Sequence, residues 1–272
     1  MEEEEALPNM WFLSSDDDND EGDKEEDCQS RRQRRSKCWE GCGRPVATCI
    51  CPLLPPCPIP TSTHVVVLHH PQELRTNKIA TLPALCRCLE RCSLLCGRRL
   101  HPGASPLLDS LSAFPSPSSP VLFLFPTIGP SESAIDLKRW VSHTPYASRA
   151  EPVLIVFDAT WRYAREMVAA SLPYLERFAL QVQIGDGCDA GMEGASTFES
   201  DVVLRKEPWK GCLSTIEAVA RALRVLEPEE RGPEIEERLL AVLRAMVAFQ
   251  AVHLTPVKPR TKLKKKGKVV RE

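Results

Sequence analysis

Residues 153–157, Val-Leu-Ile-Val-Phe, form an unbroken apolar run made mostly of β-branched and aromatic side chains. Without alternation, a strand here has to be covered on both faces, as in a parallel sheet held between helices. Asp158, Ala159, Thr160 and Trp161 follow, and Trp161, Ala164 and Val168 then recur at helical spacing. A carboxylate, a hydroxyl and an indole therefore sit where a parallel strand ends and a helix begins, the place where open α/β sheets bind ligands. Asp and Thr before a helix are also ordinary N-caps, and a tryptophan can simply pack on the sheet. A capping box would need Glu or Gln three residues after the cap. Trp161 and Tyr163 stand there instead, so no box accounts for the cluster.

The chain has 272 residues, 43% of them hydrophobic, with a formal charge of -2, which suits one sizeable globular domain with appendages. The near-neutral total hides an asymmetry. Residues 1–27 are crowded with Glu and Asp, whereas 258–271 carry Lys258, Arg260, Lys262, Lys264, Lys265, Lys266, Lys268 and Arg271. The basic tail suits phosphate contact or a nuclear address, and equally a solvated end. An acidic start does not fit a signal or transit peptide, and no run of eighteen apolar residues suggests a membrane span. The twelve cysteines are therefore expected in a reducing compartment, cytoplasmic or nuclear, where their spacing speaks for metal or burial rather than disulfides.

Residues 1–36 have few apolar side chains and are expected to be disordered. The segment 37–60 then holds Cys38, Cys42, Cys49 and Cys51, four thiols beside Gly43 and Pro45. Tight turns with paired thiolates are what a tetrahedral zinc site requires, so these four are the expected ligands, with Cys57 as a substitute.

From His64 the pattern alternates strand and helix. A strand over 65–68 ends in His69, His70, Pro71, Gln72 and Glu73, and a helix is expected through Leu82, Leu85, Leu89 and Cys92. On such a helix Cys88, Cys92 and Cys96 would share one stripe as small packed hydrophobes, with Cys86 elsewhere. Residues 102–120 read as a Pro/Ser-rich loop, 121–125 as a strand, 133–141 as a helix, 180–184 as a strand and 202–204 as a last short strand. Ser214 and Glu217 form a plausible capping box before Ile216, Val219, Ala220, Leu223 and Leu226. Arg205, Lys206, Trp209 and Lys210 gather just ahead of it, which suits an anionic group near a helix N-terminus. A last amphipathic helix runs from Pro233.

The cysteine cluster with Arg44-Pro45, the His70-Pro71-x-Glu73 turn, Asp158-x-Thr160-Trp161, the Arg205-Lys206 pair and Ser214-Thr215-x-Glu217-Ala218 occur in this order. Together they resemble the DTW-domain family of tRNA-uridine aminocarboxypropyltransferases. The family's usual first cysteine pair is Cys-x-x-Cys, whereas three residues separate Cys38 from Cys42 here.

The resemblance implies an α/β, SPOUT-like parallel sheet with a knotted C-terminal half, spanning 61–254 between the cysteine cluster and a basic tail at 255–272. It implies that the 3-amino-3-carboxypropyl group of S-adenosylmethionine is transferred to N3 of a uridine in tRNA. Cofactor contacts are then expected from Pro126, Thr127, Gly129, Leu213, Ser214, Thr215 and Arg205. Asp158, Thr160 and Trp161 would be the catalytic group, with Asp158 either base or orienter. A SPOUT-type RNA methyltransferase and a non-catalytic zinc-bearing RNA-binding protein are the alternatives.

Overall fold

The computed structural model describes residues 37–38, 41–42, 44–72, 81–116, 118–127, 134–185 and 213–251. The strands are β1 (His64–His69), β2 (Cys92–Cys96), β3 (Val121–Leu124), β4 (Ile135–Asp136), β5 (Val153–Asp158) and β6 (Ala179–Gln183). They form one six-stranded sheet in the order β2-β1-β5-β3-β6-β4, and every neighbouring pair is parallel. The helices are α1 (Leu82–Cys88), α2 (Pro106–Ala113), α3 (Leu137–His143), α4 (Trp161–Leu175), α5 (Thr215–Leu226) and α6 (Gly232–Ala251).

The two-residue period of the strands divides the core. Val65, Val67, Leu154 and Val156 face α1, α5 and α6, while Val66, Leu68, Ile155 and Phe157 face α2 and α4. The unbroken apolar run at 153–157 is thus buried on both sides. On α5, Ile216, Val219, Ala220, Leu223 and Leu226 make one buried stripe. Cys42 and Ile50 belong to the same core, so the N-terminal cysteine segment is packed onto the domain. No helix among the described residues is long and apolar enough to cross a membrane.

Three expectations are corrected. The helix expected through Cys92 ends at Cys88, with Leu89 already extended (φ -111°, ψ 135°), and Cys92–Cys96 is strand β2. A helix there would leave the outer edge of β1 without partners, whereas β2 pairs with it from Val65↔Cys92 to His69↔Cys96. The cysteine stripe therefore does not exist. The loop expected over 102–120 contains α2, opened by Ser105, whose hydroxyl accepts from the Leu108 N–H, and by Pro106 in the first turn. The helix expected from 133 begins at Leu137, because Asp136 is its cap and Ile135–Asp136 pairs with β6 as β4. The strand expected at 202–204 lies outside the described residues.

Candidate active site and metal centre

β1 and β5 are adjacent, and their register sets His69 opposite Asp158 at the carboxyl ends of both strands. Counting in twos from Val65 and from Leu154, both side chains project to the face covered by α1, α5 and α6. They meet there, His69 Nδ1 lying 2.6 Å from Asp158 Oδ2, with the side chains only 6% and 16% exposed. The other carboxylate oxygen, Oδ1, accepts from the hydroxyl of Thr215, the first residue of α5. Both oxygens of Asp158 are therefore held, and the carboxylate stands at a helix N-terminus, whose dipole favours negative charge. Ser214 caps that helix, its hydroxyl accepting the Glu217 N–H at 3.4 Å. His69 Nε2, in contrast, is buried and has no hydrogen-bond partner among the described residues.

His70 projects to the opposite face. Its ring stacks on Tyr163 of α4, with centroids 4.3 Å apart and planes 6° from parallel. Gln72, Arg98, Glu166 and this pair line an open cleft of about 390 Å³. Trp161 lies beside Phe125 at the end of β3, centroids 6.0 Å apart. Thr127 is fixed just beyond, its N–H bonding Gln183 Oε1 at 3.2 Å and its hydroxyl accepting the Ala134 N–H at 3.0 Å. Thr160 occupies the N-cap of α4, but its side chain makes no capping bond there.

At the N-terminus, the sulfurs of Cys38, Cys42, Cys49 and Cys51 all lie within 4.8 Å of one another. Cys38 and Cys51 sulfurs are 3.6 Å apart, and those of Cys42 and Cys49 3.8 Å. A tetrahedral Zn–S₄ site with bonds near 2.3 Å needs sulfur separations of about 3.8 Å, so the four fit a single metal ion. Gly41 passes between two of them, and a Cβ there would overlap the sulfurs of Cys38 and Cys51. Arg44 holds the loop shut through its Nε–H bond to the Thr48 carbonyl, and Cys38 N–H bonds the Arg44 carbonyl. Burial pushes the Cys42 thiol up, but hydrogen bonds from Ile50, Arg44 and neighbouring thiols outweigh it and bring it down to about 7. Burial and the Cys38 thiol push Cys51 up to about 12. Cys57 is exposed and stands outside the group.

The DTW domain model matches residues 35–251. The chain belongs to the DTW domain family. It is 41% identical over 250 residues to tRNA-uridine aminocarboxypropyltransferase A of Arabidopsis thaliana, covering 89% of this chain and 90% of that one. It is 32% identical to tRNA-uridine aminocarboxypropyltransferase 2 of Macaca fascicularis, across 81% of this chain and 65% of the relative. With the enzyme of that name from Drosophila melanogaster the identity is 32%, across 80% and 76%. No solved structure matches the chain.

Within this DTW domain the structure brings Asp158 and Thr215 into contact and sets Trp161 against Phe125, one residue before Pro126. The segments 126–127 and 213–215 both emerge on the edge of the sheet that carries Asp158. Pro126 is exposed, and Leu213 is partly so. Gly129, Arg205 and Glu73 lie outside the described residues. The feature that sequence reasoning did not single out is the His69–Asp158 pair. Both residues were visible at strand ends, but only the register of β1 against β5 joins them.

Proposed function

We propose that this DTW protein is a tRNA-modifying transferase that attaches a 3-amino-3-carboxypropyl group to N3 of a uridine. The likeness that carries this reading is 41% identity to a tRNA-uridine aminocarboxypropyltransferase over about nine-tenths of both chains. A parallel sheet with a carboxylate, an imidazole and two aromatic rings at one carboxyl edge supplies a fitting site.

The donor we infer is S-adenosylmethionine, whose sulfonium activates the carbon that is transferred. The site suits such a donor in one respect, because a sulfonium is attracted to the carboxylate of Asp158 at the carboxyl edge of the sheet. Pro126, Thr127, Leu213, Ser214 and Thr215 would line it together with Gly129. Arg205 would meet the carboxylate of the amino-acid chain as a charge-assisted pair. Holding that chain, and not the methyl group, in line with N3 is what selects the product.

The fold reading extends the same way. We read the all-parallel sheet as a SPOUT-like arrangement with a knotted C-terminal half, a reading that rests on the family likeness. A metal ion held by the four thiolates would be structural zinc. Nucleoside mass analysis of tRNA incubated with the protein and S-adenosylmethionine tests the function. Uridine heavier by one aminocarboxypropyl group is expected, whereas a methylated uridine would replace this reading with an RNA methyltransferase.

A further inference from the structure

We propose that His69 takes the N3 proton of the target uridine through Nε2, and that Asp158 is a positioning residue that fixes the imidazole tautomer. The inference rests on the aminocarboxypropyl-transfer reading. An ionised carboxylate only accepts hydrogen bonds, so the 2.6 Å contact to Asp158 Oδ2 requires the proton on His69 Nδ1. The neutral ring then has its lone pair on Nε2. Thr215 donates to Oδ1, which keeps the carboxylate turned toward the histidine from its second oxygen.

Nε2 is buried and without a partner among the described residues, in a side chain that is only 6% exposed. Leaving a buried acceptor without a donor is unfavourable, and native structures rarely keep one without a use. The imide N–H of uracil is a donor of the kind missing there. Imidazole is also a stronger base than carboxylate, hence better matched to a weakly acidic imide. Because Nε2 is shielded in the free protein, the uracil edge has to displace its cover, which would also keep water from the reacting atoms.

The step balances without a further reactant. The N3 proton passes to His69 Nε2, and the N3 electron pair forms the new N–C bond. The C–S bond breaks, and its pair neutralises the sulfonium to give methylthioadenosine. The imidazolium that results is stabilised by Asp158 and returns its proton to solvent when the product leaves.

Two measurements on the full chain test this. In nitrogen-15 histidine spectra of the wild-type protein, the resonance lost in His69→Gln should show a protonated Nδ1 and a bare Nε2. Asp158→Asn should shift that ring toward the other tautomer. In parallel, His69→Gln should lower kcat about 10²- to 10⁴-fold, with KM for tRNA changed less than about threefold. A His69 ring protonated at Nε2 in the wild type would overturn the proposal, as would a folded His69→Gln protein with wild-type kcat. A wild-type protein with the expected tautomer that yields methyluridine would instead count against the reaction reading.

Discussion

At Gly41 the chain runs so close to the sulfurs of Cys38 and Cys51 that one added methyl group would occupy the space a metal ion needs. Gly41→Ala should therefore cut metal content from about one ion per chain to well below half, measured by elemental analysis of purified protein. Cys92→Ser lies on β2 and should leave metal content unchanged. Equal loss from both would contradict the assignment. The same site carries a pH dependence. Metal binding needs thiolates, and at neutral pH protons must be displaced from Cys51, pushed up to about 12, and from Cys49, also raised because burial and the Cys38 thiol outweigh the Cys51 N–H. Apparent zinc affinity should thus fall as pH falls, and more steeply below the Cys42 value of about 7, where a further thiolate is protonated. A competition titration at several pH values reads this directly, and a flat profile would contradict it. Asp158→Asn at the other site keeps size and an accepting oxygen while removing charge. Turnover should drop about a hundredfold or more, and the unfolding midpoint should stay close to wild type. Retained turnover would return Asp158 to a purely structural role.

The connection between α5 and β1 depends on a buried acid. Glu227, just past the end of α5 and only 3% exposed, accepts from the Ser62 N–H and hydroxyl at 3.0 Å and from the Thr63 N–H at 2.8 Å. These bonds tie the helix that presents Thr215 to the strand that presents His69. Glu227→Ala leaves buried donors without partners and should cost about 2–4 kcal/mol. Urea unfolding would show it as a lower midpoint with unchanged slope, at unaltered metal content, and an unshifted midpoint would contradict the role. Elements like this mark the boundary of what the sequence discloses. The strand at 153–157, its Asp158–Trp161 turn and the Ser214 cap follow from apolar runs and local spacing, which act within a few residues. The β2 strand was hidden because a short, mostly apolar stretch suits helix and strand equally, and pairing with β1 decides it. The His69–Asp158 contact was hidden because two strands 89 positions apart take their register from the packed sheet, not from local pattern.

Across the whole molecule, both histidines at the end of β1 work at one edge of the sheet but on opposite faces. His69 meets Asp158 beneath α5, and His70 stacks on Tyr163 beside an open cleft that also holds Arg98. Strand period thus separates the His69–Asp158 pair from the His70–Tyr163 stack, one on each face of the sheet. The cysteine segment is packed into the core on the α6 side, so loss of metal should loosen the fold. With S-adenosylmethionine as the proposed donor, the question is which carbon leaves the sulfonium, since one sulfur offers both a methyl and an aminocarboxypropyl carbon. The decisive measurement uses two batches of S-adenosylmethionine, one labelled in the carboxyl group and one in the methyl, each incubated with tRNA and the wild-type protein. Carboxyl label in tRNA uridine, no methyl label and release of methylthioadenosine are expected. Methyl label in the RNA with release of S-adenosylhomocysteine would contradict aminocarboxypropyl transfer outright.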